Sequence, residues 1–244
     1  MKRRPRTTGN TVVKTWLEEA LLDEPAAIDR RIAMIESASE AIDAVPVTRF
    51  YARGGCGRGA GLQGGAGCRR GDGGLVQEQR RVTAGVTLSA VIRRNDPRPS
   101  AEALLSFAAD LDRLHERGLI HWDVKPANIL YDGEALFLID WEPSLLQYRD
   151  GRATAVVTRA YVAPSERGSV SLTARTDRFG WIKTLVALGL ELPDPVGAHT
   201  DDESIERWIA EQTAVAVTRQ LLSAGVVGGA AATVGKTQPL YRQG

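Results

Sequence analysis

A chain of 244 residues is long enough to bury a sizeable core as one large domain or two lobes. Its 31 basic and 30 acidic side chains nearly cancel, so no global field argues for nucleic acid or a membrane surface as partner. No apolar run approaches the roughly 18 residues of a membrane span, and no secretory signal pattern is present. The cluster Lys2-Arg3-Arg4-Pro5-Arg6 reads as a solvated end. Two cysteines, Cys56 and Cys68, match neither a metal nor a disulfide framework, and a reducing, cytoplasmic compartment is expected.

In chain order, Thr7–Asn10 reads as a turn leading into a β-branched strand, Thr11–Trp16, with one lysine in it, Lys14. Pro25–Ala44 carries Ile28, Ile32, Ile35, Ala38 and Ile42 at helical spacing, which predicts an amphipathic helix. Val45–Tyr51 reads as the next strand. Composition then changes abruptly: Arg53–Gly74 holds eleven glycines in 22 residues and few core formers. Such a tract buries too little to fold tightly and is expected to be a flexible insert. Gly59, Gly61 and Gly64 match G-x-G-x-x-G, but no strand–turn–helix frames them, so they are not read as a phosphate loop. Leu75–Glu78 is a further strand and Gly85–Ser89 opens a helix. Ser100 follows Pro99 as an N-cap, with Leu104, Phe107, Ala108, Leu111 and Leu114 as a buried stripe and Gly118 as the stop.

The most informative stretch is Leu119–Glu142. Ile129-Leu130-Tyr131 and Leu136–Ile139 read as two short strands joined at Asp132-Gly133, a hairpin signal. The hairpin returns the chain, so Asn128 before it and Asp140 after it can lie side by side. An Asn carbonyl and an Asp carboxylate are hard oxygen ligands suited to Mg²⁺ carrying phosphates. Asp123, five residues before Asn128, can take a proton from an attacking hydroxyl, and Lys125 can neutralise the transferring group.

His121-Trp122-Asp123-Val124-Lys125-Pro126-Ala127-Asn128 resembles the H-R-D-L-K-P-x-N catalytic loop of eukaryotic-like serine/threonine protein kinases. Ile139-Asp140-Trp141-Glu142 is similar to a variant of their D-F-G metal motif, and Thr158–Pro164 to T-x-x-Y-x-A-P-E, with Ser165 in the Glu position. The resemblance implies an α+β, bilobal kinase-like fold: an incomplete β-rich small lobe over 1–84 with the insert at 53–74, a mainly helical large lobe over 85–224, and a flexible tail over 225–244. It implies ATP and Mg²⁺ as cofactors, with Lys14 on the α- and β-phosphates, Glu36 (Asp29 behind it) as the helix partner of Lys14, and Asn128 and Asp140 on the metal. Asp123 and Lys125 would be catalytic and Thr158 would shape the substrate site. Asp177 would hydrogen-bond the catalytic-loop backbone, and Leu75–Glu78 would lead into an adenine-binding hinge.

Several positions depart from the family. Ten residues precede Thr11 and none form the Gly-rich lid, so a truncated small lobe is expected. Trp122 replaces the arginine that reads an activation-segment phosphate, which argues against such control. The closing arginine of the large lobe is not apparent, although Ser204–Arg219 has helical spacing. The expected function is ATP-dependent phosphorylation of Ser/Thr hydroxyls of proteins, without nucleic acid or a membrane span. Two alternatives remain open. Asp140-Trp141-Glu142 leans towards a small-molecule phosphotransferase of the aminoglycoside-kinase type, and the absent lid towards a non-catalytic pseudokinase scaffold.

Overall fold

A computed structural model describes residues 6–16, 21, 23–52, 74–149, 152–193 and 201–227. The glycine tract through Gly73, both cysteines and residues 228–244 lie outside the described residues.

The small lobe is built on one antiparallel sheet in the order β1-β2-β4-β3. β1 (Arg6–Thr8) turns at Gly9 and Asn10 into β2 (Thr11–Trp16), so Thr7 and Thr8 belong to a strand rather than to the expected turn. Gly9 at φ 58° takes the left-handed conformation that closes this hairpin in two residues. β2 pairs with β4 (Leu75–Arg80), Lys14 opposite Gln77 and Trp16 opposite Leu75. β3 (Thr48–Ala52) pairs with the other edge of β4, bringing Ala52 opposite Leu75 across the glycine tract. β4 outruns its expected end at Glu78 because both edges stay engaged: Arg80 is the register partner of Thr11 and its N–H donates to Val47 O at 2.8 Å. β3 starts later than expected since Pro46 has no N–H to give a ladder.

α1 (Pro25–Ala41) begins on a proline, whose missing N–H costs nothing in a first turn. Its stripe of Ile28, Ile32, Ile35 and Ala38 is buried. It stops before the expected Ala44, and the connector docks on the large lobe. Ala44 N–H donates to the buried Asp110 carboxylate at 3.0 Å, and Ala44 O accepts from Leu138 N–H at 2.7 Å.

In the large lobe, β5 (Val86–Thr87) runs into α2 (Leu88–Arg94), with Thr87 Oγ1 capping Ala90 N–H at 3.2 Å. α3 (Ala101–Glu116) is capped by Ser100 Oγ on Ala103 N–H at 3.1 Å, and its expected stripe is buried. β6 (Ile129–Tyr131) and β7 (Leu136–Leu138) form the expected hairpin, joined by β5 in the order β5-β6-β7. The Asp132 carboxylate closes its turn by accepting from Glu134 and Ala135 N–H at 3.0 and 2.9 Å. A second hairpin, β8 (Leu146–Arg149) and β9 (Arg152–Ala155), follows. α4 (Ala174–Ala187), α5 (Asp202–Ile209) and α6 (Ala214–Val227) complete the lobe. The helical stretch expected over Ser204–Arg219 is thus two helices: Thr213 Oγ1 caps a new start on Ala216 N–H at 3.1 Å, and Asp112 of α3 accepts from Ala214 and Val215 N–H. α6 also runs past position 224, where the tail was expected to begin.

One buried cluster runs from Trp16, Ile32 and Ile35 through Leu111, Val124 and Leu138 to Trp181 and Leu221. α4 comes so close to the candidate catalytic loop that a Cβ on Gly180 would lie 2.2 Å from Val124 O, so only glycine allows this approach. Among the described residues no helix is long and apolar enough to cross a membrane.

Candidate active site

The loop after α3 is fixed from below by two buried groups. Asp177, in the first turn of α4, accepts from the N–H groups of His121 and Trp122 at 2.7 and 2.8 Å, and lies 3.0 Å from His115 Nε2. Burial by itself would raise the Asp177 pKa. The hydrogen bond and charge of His115, with His121 nearby, outweigh it and hold the carboxyl below its usual value. The second group is His121. Its Nε2 is 2.9 Å from Ile139 O, a pure acceptor, and Asp123 N–H points at Nδ1 at 3.3 Å. This assigns the ring proton to Nε2, leaving Nδ1 to accept.

Burial lowers the His121 pKa, against the pull of Asp177 and Asp123. For a group depressed in the folded state, the stability it contributes is present above the unfolded pKa of about 6.5 and is lost as pH falls towards the folded value. Histidine NMR titration of this three-histidine chain should therefore place the His121 midpoint below that of a solvated imidazole. Thermal stability should decline on the same side. A midpoint at or above 6.5 would contradict a buried neutral ring.

Above this support, four expected site residues meet in one network. Asp123 Oδ1 accepts from Thr158 N–H at 2.9 Å, while Oδ2 accepts from Lys125 Nζ at 2.5 Å and Asn128 Nδ2 at 3.0 Å. Lys125 Nζ also donates to Thr158 Oγ1 at 2.5 Å. Asn128 ends a 3-10 turn, Pro126–Asn128, and its carbonyl accepts from Ile139 N–H at 2.9 Å, which places it beside Asp140. A cavity of about 480 Å³ adjoins the network, lined by Val12, Lys14, Asn128, Leu130 and Asp140 and on its far side by Gln79–Val82. This part of the lining begins at Gln79, directly after the Leu75–Glu78 stretch.

Lys14 and Asp140 meet across the cavity as an ion pair. Glu36, expected to hold Lys14, has its carboxylate on Phe50 N–H at 2.7 Å. The azimuth of α1 explains the correction. With Ile28, Ile32 and Ile35 facing the core, positions 31 and 36 fall on opposite flanks of the stripe. Glu36 lies on the β3 flank and Arg31 on the site flank. Asp29 is exposed.

Arg31 was not legible as a site residue, and neither was Trp16, although Trp122 and Glu142 stand inside the two motifs. Its guanidinium lies 3.4 Å from the ring centroid of Trp122, and its Nε donates to Glu142 O at 2.8 Å. Burial pulls its pKa down to about 9, against Asp177, Glu142 and Asp23, so it stays charged at neutral pH. The Glu142 carboxylate is buried and accepts from Trp16 Nε1–H at 3.0 Å and Gln147 Nε2 at 2.8 Å. One signal existed: Trp16 is two residues from Lys14, hence on the same strand face. Trp122 at φ 78° and Asp140 at φ 68° hold left-handed backbone that costs a non-glycine residue about 1–3 kcal/mol. Trp141 is fully buried, its Nε1–H on Leu138 O at 2.9 Å and its ring edge-on to His121 at 4.6 Å.

Downstream, Ser165 N–H donates to Glu206 of α5 at 3.1 Å, and Glu206 also accepts from the Ser165 hydroxyl. The chain thus carries the acid on the helix and the hydroxyl on the segment. Glu166 is held by Thr173 and Thr176.

A two-lobed α+β fold with this loop, hairpin and cavity between the lobes defines the protein kinase class. The family model of the protein kinase domain matches residues 83–221, more than half of the chain, and the chain belongs to that family. It is 33% identical over 110 residues to serine/threonine-protein kinase PknD of Mycobacterium tuberculosis, covering 41% of this chain and 16% of PknD. It is 34% identical over 117 residues to PknH of Mycobacterium bovis, covering 43% of this chain and 19% of that protein. The chain therefore spans less than a fifth of these curated relatives. Among solved structures, the kinase domain of M. tuberculosis PknI superposes with a TM-score of 0.54 at 14% identity, covering 88% of this chain and 85% of that one, a likeness of fold.

Proposed function

We propose that this protein kinase-family chain transfers the γ-phosphoryl group of ATP to Ser or Thr hydroxyls of a protein substrate. The carrying observation is the Asp123 carboxylate, bonded at once to Lys125, Asn128 and Thr158 N–H beside a cavity lined by Lys14, Asn128 and Asp140. The cavity suits a nucleotide, and the Lys14 ammonium on Asp140 marks that carboxylate as turned towards a cation. The oxygens of Asn128 and Asp140 are the hard donors that would hold Mg²⁺, which when bound neutralises charge on phosphate oxygens. Lys14 would exchange Asp140 for the phosphates. Asp123 would orient the acceptor hydroxyl and take its proton, while Lys125 offsets charge on the transferring group. Thr158, bonded to both, supports a polypeptide site, as do the serine/threonine kinases among the relatives.

A second reading, a non-catalytic kinase-like binder, is favoured by two contacts: Lys14 closed onto Asp140, and the Arg81 N–H of the hinge donating to Asn10 O at 2.9 Å. Melting curves separate the two. On the kinase reading, ATP at 100 times its dissociation constant adds about 2.7 kcal/mol, a rise of roughly 5–10 °C, and only with Mg²⁺ present. Labelled phosphate should then appear as phosphoserine or phosphothreonine in a protein acceptor. No shift at millimolar ATP-Mg²⁺ favours the binder, and transfer only to an aminoglycoside would replace the substrate class.

A further inference from the structure

We infer that Arg31 of α1 is a positioning residue for the catalytic loop: its guanidinium clasps the Trp122 ring and so fixes the backbone on which Asp123 stands. The proposal rests on the phosphotransferase reading and adds a residue and a means of control to it.

Four observations carry it. The guanidinium lies 3.4 Å from the Trp122 ring centroid, within the range where a cation is drawn to an aromatic face. Its Nε is fixed by Glu142 O, two residues after Asp140, whereas its buried Nη2 has no hydrogen-bond partner among the described residues. The group is thus committed to the ring face and one carbonyl rather than forked onto a carboxylate. Trp122 sits at φ 78°, a conformation a bulky side chain keeps only where its surroundings hold it. Asp177 holds that backbone through the Trp122 N–H, while the side chain packs against Leu145, Val162 and Leu172 and carries the Arg31 guanidinium over its ring.

The consequence is a direct tie from the small-lobe helix to both ends of the site: Trp122 precedes Asp123, and Glu142 follows Asp140. In this chain the loop is set by an internal cation, so turnover should not depend on a phosphate added to the activation segment. Arg31 touches no reacting atom, and its effect passes through Trp122.

Arg31→Met keeps the aliphatic stem without the charge, Trp122→Leu keeps apolar bulk without the π face, and Trp122→Phe keeps a smaller face. With ATP-Mg²⁺ and a protein acceptor, Arg31→Met and Trp122→Leu should each lower kcat about tenfold with KM for ATP within about twofold, the size expected of a desolvated cation–π contact. The double variant should be no worse than either single one, since both remove the same contact. Trp122→Phe should stay near wild type, and phosphatase-treated wild type should keep its kcat. Multiplicative losses in the double variant, ATP affinity falling in step with kcat, or turnover lost on dephosphorylation would each overturn the proposal. A wild type that transfers no phosphate would sink the proposed function rather than the clasp. The clasp is then judged by ¹⁹F NMR of protein carrying fluorinated tryptophan, with five resonances of which Trp122→Phe identifies one. Arg31→Met should move that resonance more than the other four; an unmoved Trp122 signal ends the proposal.

Discussion

Replacing Asp123 with Asn is expected to cut phosphoryl transfer by about 10²–10⁴-fold while ATP-Mg²⁺ still binds. The amide keeps the shape of the carboxylate and one oxygen to accept Thr158 N–H, now at 2.9 Å. It cannot take a proton from the acceptor hydroxyl. It also turns an NH₂ towards Lys125 Nζ or Asn128 Nδ2, both donors, where the carboxylate accepts from each. Asp123 does not line the cavity proposed for the nucleotide, so the loss should fall on kcat and leave ATP affinity near wild type. Steady-state kinetics on a protein acceptor, with ATP affinity measured separately, checks both halves. Near-normal turnover would remove Asp123 from the base role.

The largest stability effect is expected at Asp177. Its carboxylate is fully buried and serves two backbone N–H groups and His115 at once. Asp177→Ala would leave the His121 and Trp122 N–H groups buried without acceptors, and removing one member of such a buried charged network costs about 3–5 kcal/mol. For a domain of this size that corresponds to a fall in Tm on the order of 10 °C. Asp177→Asn gives the sign of the electrostatic part. The carboxyl is depressed in the folded state, so its contribution is full above the unfolded pKa of about 3.9 and is lost as pH falls through the lower folded value. The stability curves of wild type and Asp177→Asn should therefore separate at neutral pH and converge below about pH 4. A gap that is constant with pH would mean that shape, not charge, sets the cost.

Much of this site was legible because its parts are close in sequence. Asp123, Lys125 and Asn128 lie within one loop, and a short hairpin with an Asp-Gly turn returns the chain to Asp140. Local turn chemistry and residue spacing therefore decide that they meet. Thr158 and Asp177 were reached by resemblance, and their bonds to the same loop are now explicit. β4 was read short, because its length depends on partners at both of its edges, contributed on one side from 59 to 69 positions upstream.

By itself the sequence determined the α3 post with its Ser100 cap and the order of charged groups around the cavity, each from a local pattern: a period, a turn or a fixed interval. The kinase class came from the resemblance of residues 121–128 and 139–142 to family motifs. Which face of α1 meets the site was decided only by the tertiary structure. Glu36 and Arg31 flank the same apolar stripe, and periodicity says that the stripe is buried without saying which flank meets which neighbour. Packing placed Glu36 on the Phe50 N–H and Arg31 on Trp122, and left Lys14 to Asp140. Those partners lie 14, 91 and 126 residues away along the chain, and no local rule links residues so far apart.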